Sequence, residues 1–271
     1  MKTRSALILV TSIPFLVLAL VAGRPAARAA DEPALDAAKI VADMKRALEP
    51  ERPSIRAIEM VIRGPDGAEV HWTARQARRD LDGGHGIVTA LVGPEPVSGF
   101  ALLALRDKDR KETLWMYAPF VRRVRELVGI DRFQSFLGSD FSIGAIASFD
   151  VVDRTFELSG DDEIDGVVAH KIVEHLAEPT PYSRIETWVS ADRHLPILRR
   201  YYDRAGVLWK VARFEDVTVI NGVPTVLRAT IKDEQVGGSS EMTISEVRYD
   251  AEVSEKLFVP AELGNAATLM K

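Results

Sequence analysis

Two places in the 271-residue chain set chemically capable side chains close together. The first is Gly138-Ser139-Asp140, inside Phe136-Leu137-Gly138-Ser139-Asp140-Phe141. A serine beside an acid suggests a nucleophile, yet the G-x-S-x-G turn that presents a hydrolytic serine occurs nowhere in the chain. No histidine lies near Ser139 in sequence to act as its base, although triads assemble in space. Asp140 reads better as a helix N-cap or turn residue, with Ser142 a second cap before Ile143–Phe149. The second place is the acidic run Asp161, Asp162, Glu163 and Asp165 before Gly166. A calcium loop needs oxygen ligands at alternate positions and a distal bidentate Glu, and that pattern is incomplete, so a solvated hairpin tip fits better. The five histidines (His71, His85, His170, His175, His194) form no H-x-x-x-H or H-E-x-x-H pattern. His170 and His175, five apart, fall on opposite faces of a strand. Without cysteine a structural zinc site is not expected. The expectation is no catalytic residue, no metal and no cofactor.

The remaining chemistry is recognition. Leu114 to Ile143 concentrates Trp115, Tyr117, Pro119, Arg122, Arg123, Arg125 and Phe136 within thirty positions. Read as a strand over Leu114–Leu127, it gives Trp115, Tyr117 and Pro119 one parity and aims both rings at the same space. These can be plain core aromatics, and the arginines a solvated edge that blocks strand-to-strand pairing. The functional reading is an apolar ligand wall of Trp115, Tyr117 and Phe136. Arg123 and Arg125 would stand at its rim for a carboxylate or phosphate headgroup. Both readings can hold, because a lipid cavity is a core left partly unfilled.

The elements that would position these residues are mostly strands. Asp36–Leu48 is the clearest helix, with Ile40, Met44 and Leu48 at i, i+4, i+8, Val41 beside them, and Pro50 as its stop. After it, Ile55–Arg63 leads through Gly64-Pro65-Asp66-Gly67 into a returning strand from Ala68 to Arg75. Further turns are expected at Asp82-Gly83-Gly84, Asp165-Gly166, Arg204-Ala205-Gly206, Asn221-Gly222 and Gly237-Gly238. Alternating stretches around Ile185–Val189, Val207–Val211 and Val226–Lys232 point to a large antiparallel sheet. Met242 and Ile244 have one parity, Val247 and Tyr249 the other. A bulge near Ser245-Glu246 would repair the register and bend the strand, as a curling sheet requires. The only helices available to fill its interior are Asp36–Leu48 and a second over Ile143–Phe149.

The N-terminus sets the compartment. Lys2 and Arg4, an apolar run from Ala6 to Ala22, and an A-x-A site at Ala27 and Ala29 form a cleavable secretory signal peptide over residues 1–29. The alternative, an uncleaved membrane anchor, is opposed by Pro14 and the A-x-A site. A cysteine-free chain has neither a disulfide framework nor the acylation site of a bacterial lipoprotein. Residues 30–271 are expected to form one domain that is not lipidated and, in a Gram-negative cell, lies in the periplasm. Removing Lys2, Arg4, Arg24 and Arg28 leaves 31 basic against 40 acidic residues, a net charge of −9, which argues against nucleic acid as a partner.

The motif order resembles the outer-membrane lipoprotein-sorting proteins, relatives of the periplasmic lipoprotein carrier. Members often show W-x-Y-x-P, R-x-R and F-x-G-S-D-F-S. The counterparts here are Trp115-Met116-Tyr117-Ala118-Pro119, Arg123-Val124-Arg125 and Phe136 through Ser142. Leu195-Pro196, Tyr202-Asp203-Arg204-Ala205-Gly206, Asn221-Gly222-Val223-Pro224-Thr225 and Leu257-Phe258-Val259-Pro260 extend the likeness over most of the chain. It departs after Ser142, where members continue with tyrosine and acids but this chain has Ile143-Gly144-Ala145.

The resemblance implies a mainly β fold: a curved antiparallel sheet forming an incomplete barrel, closed by a few helices over an apolar cavity. It implies a monomeric, non-catalytic carrier of lipid or lipoprotein acyl chains toward the outer membrane, with an inner-membrane transporter as a further partner. The rivals are a scaffold subunit of an inner-membrane exporter, marked by an exposed apolar edge without a cavity, and, last, a periplasmic esterase.

Overall fold

Alternation and turn chemistry produce thirteen strands in the computed structural model, which describes residues 36–109, 111–147, 154–177 and 179–270. The signal peptide expected over residues 1–29 and the last two positions of the helix expected over Ile143–Phe149 lie outside the described residues. The strands are β1 (Ser54–Arg63), β2 (Glu69–Leu81), β3 (Gly84–Gly93), β4 (Ala101–Asp107), β5 (Glu112–Ala118), β6 (Arg123–Leu127) and β7 (Arg154–Ile164). They continue as β8 (Val167–Leu176), β9 (Tyr182–Ser190), β10 (Pro196–Asp203), β11 (Leu208–Ile220), β12 (Val223–Asp233) and β13 (Ser239–Tyr249). All belong to one antiparallel sheet in the order β6-β5-β4-β3-β2-β1-β13-β12-β11-β10-β9-β8-β7.

This order is two meanders joined where β1 pairs with β13. The expected turns fall between consecutive strands. At Asp165-Gly166 and Asn221-Gly222 both turn residues have positive φ (52° and 80°, 48° and 81°), the geometry that matches the twist of tight hairpins. The sheet curls but does not close, so β6 and β7 are its two edges. Because these edge strands are consecutive in sequence, the segment joining them runs from one edge of the sheet to the other. A short helix on that segment, α2 (Ile143–Ala147), is built into the inner core together with Phe136 and Phe141.

The bulge forms where the parity break required it. Ile55 pairs with Arg248 and Ala57 with Ser245, so Glu246 and Val247 together oppose Arg56, and Glu246 takes φ +52°. The extra residue returns Val247 and Tyr249 to the inner face with Met242 and Ile244. The N-terminal helix α1 (Ala37–Leu48) is capped by Asp36, whose Oδ1 accepts the Ala38 N–H at 3.0 Å. It buries Ile40, Val41 and Met44 against Ile172 and Val189.

Leu114–Leu127 is not one strand. It is the hairpin β5–β6, turned at Pro119–Arg122 with Arg122 at φ +50°, so the parity argument stops before Pro119. The proline lacks a ladder donor, and a residue with positive φ cannot continue a strand. On the outer face, 3₁₀ turns over Glu255–Phe258 and Pro260–Asn265 pack across β3–β5. Gly86 makes room for this: a Cβ there would lie 2.3 Å from the Phe258 ring. Among the described residues no helix is long and apolar enough to cross a membrane.

Candidate functional site

Inner-face positions on neighbouring strands form stripes that change character along their length. On β1 the stripe reads Arg56, Ile58, Met60, Ile62; on β2 it reads Arg78, Gln76, Ala74, Trp72. The apolar ends join Phe136, Ile143, Ile146, Leu195, Phe214, Met242 and Ile244 in the main core. The polar ends meet in a row of cross-strand neighbours, Arg56 opposite Gln76 and Gln76 opposite Thr89.

Gln76 ties this row to the helix above it. Its Oε1 accepts from Arg56 Nε at 2.6 Å and from Arg56 Nη2, while its Nε2 donates to Thr89 Oγ1 (2.7 Å) and to the Ile146 carbonyl (3.1 Å). Gly144 of α2 is buried, and Ala145 faces the space between α2 and the sheet. Ser142 caps α2 by accepting the Ala145 N–H at 3.1 Å.

Two apolar cavities lie under the helices. The first is bounded by Leu48 of α1, Ala145 and Ile146 of α2, and Ile58, Leu195 and Ile244, with Arg56, Gln76 and Tyr249 at its polar end. The second is bounded by Phe133, Phe141, Tyr182, Ile185 and Tyr201, with Arg154 and Arg199 in its wall. Ala145, Phe214 and Met242 border both, so α2 stands over the partition between them. The free space is small: about 40 Å³ and 60 Å³ for water centres, room for roughly three to six waters. As they stand, these spaces are too small to enclose a long alkyl chain.

The second cavity rests on a buried charge cluster. Glu174 is fully buried; its Oε1 accepts from Thr187 Oγ1 at 2.7 Å, and Arg154 and Arg199 (3.6 Å) flank it. Burial opposes its ionisation, but the two guanidiniums and the Thr187 hydroxyl outweigh that and hold the carboxyl below its usual range. Burial pushes the Tyr182 hydroxyl well above the ordinary tyrosine value, keeping it neutral.

The residues expected to act together separate. Trp115 and Tyr117 do share a face, but it is the outer one, where they pack with Leu257, Phe258 and Leu263. Their neighbours Leu114, Met116 and Ala118 face the inner core. Phe136 is on the inner side, 2% exposed, edge-on to Trp72 with centroids 5.5 Å apart. A sheet therefore lies between Trp115 and Tyr117 on one side and Phe136 on the other, and none of the three borders either cavity. Arg123 and Arg125 pair with Ala118 and Met116, which puts them on the inner-face parity of the edge strand β6. They are exposed there, with Arg125 bonded to Asp131 at 3.2 Å.

Ser139 occupies a turn. Leu137 and Gly138 have positive φ, and the buried Ser139 hydroxyl donates to the Phe141 carbonyl at 3.2 Å. Asp140 does not cap α2. Its N–H donates to Ser240 Oγ and its Oδ2 accepts from the same hydroxyl, both at 2.8 Å, and burial raises its carboxyl above the ordinary value. The acidic run ends at the β7–β8 turn, where Asp161 holds His170 Nδ1 at 2.6 Å and Asp165 holds Arg213 at 2.7 Å. Among the described residues no group of three or more His, Asp or Glu is placed to hold a metal.

The fold has solved relatives. A domain from Vibrio parahaemolyticus, named for outer membrane lipoprotein sorting, superposes with TM-score 0.75 at 21% identity, covering 83% of this chain and 97% of its own. A DUF1329 family protein from Desulfovibrio piger gives 0.75 at 24% identity, over 83% and 96%. A LolA superfamily protein from Nitrosomonas europaea gives 0.66 at 19%, over 83% and 98%. No curated protein matches the chain in sequence. A family model described as "Uncharacterized protein" matches residues 85–265. The chain belongs to that family and has the fold of the outer-membrane lipoprotein-sorting proteins.

Proposed function

We propose that the protein is a periplasmic, non-catalytic carrier that shields acyl chains of lipid or lipoprotein between its curled sheet and the helices α1 and α2. One observation carries this reading: apolar cavities lie on the inner face directly beneath two helices, and side chains of both helices line one of them. The physical need is clear. Exposing an acyl chain to water costs about 0.8 kcal/mol per methylene, on the order of 10 kcal/mol for a chain of about 14 carbons. A surface that opens to receive the chain and collapses when empty removes that cost during transit. In this reading the ligand wall is formed by Ile58, Ile146, Leu195, Phe214, Met242 and Ile244, in place of Trp115, Tyr117 and Phe136.

The scaffold reading keeps one supporting observation. Phe120, Val121, Val128 and Ile130 are 78%, 52%, 63% and 47% exposed beside the edge strand β6, an apolar edge suited to a protein partner such as an inner-membrane transporter. The cavity favours the carrier, and the edge gives it a place to meet a transporter. Detergent-free purification from the native periplasm, followed by mass spectrometry of extracted lipid, tests the choice. A co-purified acylated species supports the carrier; a consistently empty protein held by a tight partner supports the scaffold.

A further inference from the structure

Arg56 occupies a position that the sheet would ordinarily give to an apolar residue. It continues the inner stripe Ile58–Met60–Ile62, and the β13 bulge opposite it turns Tyr249 toward the same space. Protein encloses the guanidinium, and this burial lowers its pKa, yet it keeps some surface open to the first cavity. Its hydrogen-bond partner is the neutral Gln76, and among the described residues no carboxylate lies within 4 Å of it. Glu49 stands at the same mouth, with its Oε2 3.7 Å from His85 Nε2, and its charge offsets only part of the desolvation of Arg56. The other buried arginines of the inner face are matched differently: Arg154 and Arg199 converge on Glu174, and Arg78 meets Asp80 at 2.7 Å.

The position of Arg56 is also the junction of two spaces. A small pocket bordered by Leu48, Glu49, Arg56, Gln76 and Arg78 continues the apolar cavity outward. It leads to a polar mouth where Lys45, Arg46, Arg78 and Arg106 face Glu49, Glu51 and Asp107. An apolar channel that ends at a desolvated guanidinium and opens onto a polar mouth of mixed charge has the polarity of an amphiphile with a negative head.

We propose that the cavity selects amphiphiles with an anionic head, a carboxylate or a phosphate ester, which docks on Arg56 while the chain lies along Ile58, Phe214 and Ile244. The inference rests on the carrier reading and narrows it from acyl chains in general to acyl chains with an anionic head. A carboxylate or phosphate can accept paired N–H bonds from the guanidinium and supply the counter-charge that Gln76 cannot. A neutral head would leave the guanidinium as it stands.

Isothermal titration with hexadecanoate, hexadecyl phosphate and hexadecan-1-ol, each below its aggregation concentration, tests this. The wild type should bind at least one of the two anions about tenfold or more tightly than the alcohol. The two anionic arms tell a carboxylate source from a phosphate source. Arg56→Met should bring anion and alcohol within about twofold of each other, and Arg56→Lys should keep most of the preference. Gln76→Glu, which retains Arg56 but supplies an internal carboxylate, should erase the preference even if Arg56→Met does not fold. Equal affinity for anions and alcohol in the wild type, or a preference that survives both Arg56→Met and Gln76→Glu, overturns the inference and leaves the carrier reading intact. Failure of all three amphiphiles to bind overturns both.

Discussion

A charge removed from water persists in a fold only if its neighbours replace the lost solvation. Glu174 has Arg154, Arg199 and Thr187 to do this. Glu174→Ala should therefore destabilise the protein by about 3–5 kcal/mol in urea unfolding, because two buried guanidiniums lose their carboxylate. The sign of the pH effect follows from the lowered pKa. The contribution of Glu174 is complete above the ordinary glutamate value of about 4.3 and fades as pH falls through the lower folded value. Glu174→Gln should accordingly flatten the fall in stability below about pH 4; an unchanged acid limb would refute the assignment. Ser139→Ala should leave acyl-chain uptake unaltered, because the hydroxyl only closes a turn, and loss of uptake would revive a role for it. The turn at Gly138-Ser139-Asp140 was legible in the sequence. Arg56 was legible too, since strand parity alone aims it inward with Ile58, but a single arginine at a strand start reads by default as a surface residue.

At the scale of elements, helices and turns were the most readable features, because caps, Gly-containing turns and alternation are local. Asp36, Asp165-Gly166 and Asn221-Gly222 all act where local chemistry placed them. The bulge was legible from the parity of Met242, Ile244, Val247 and Tyr249. The face to which a strand turns was not: β5 alternates Leu114, Met116 and Ala118 with Trp115 and Tyr117, and both sets are apolar. The larger rings pointed to the wrong side because the outer face is also covered, by the C-terminal segment around Phe258 and Leu263. The helix α1 packs on β7 and carries Leu48 to the cavity, which makes it the natural moving part. A disulfide tying α1 to β7 is practical in a chain without native cysteines. It should abolish uptake of a fluorescent fatty acid and restore it on reduction; equal uptake in the oxidised protein would remove α1 from the lid.

The described residues form one open sheet whose two edge strands, β6 and β7, follow one another in the chain. That topology depends on the pairing of β1 with β13, strands nearly at opposite ends of the described chain, and no local pattern specifies such a pairing. The family resemblance, through motifs spread from Trp115 to Pro260, implied the curved, incomplete barrel but not this pairing. Removing Glu246 should delete the bulge yet leave Val247 and Tyr249 on the inner face in regular alternation, and so take away the local bend at the junction of the two meanders. Circular dichroism melting should then show a large loss of cooperativity; a native-like melt would mean that the bulge is dispensable for closure.

The central claim is that acyl chains lie on the inner face under α1 and α2. A fatty acid carrying a photoactivatable diazirine near its chain end, cross-linked to the purified protein and mapped by peptide mass spectrometry, tests it most directly. The account predicts adducts on inner-face residues such as Ile58, Leu195, Phe214 and Ile146. Adducts confined to Phe120 and Val121 at the β6 edge, or to Trp115 and Tyr117 on the outer face, would contradict it.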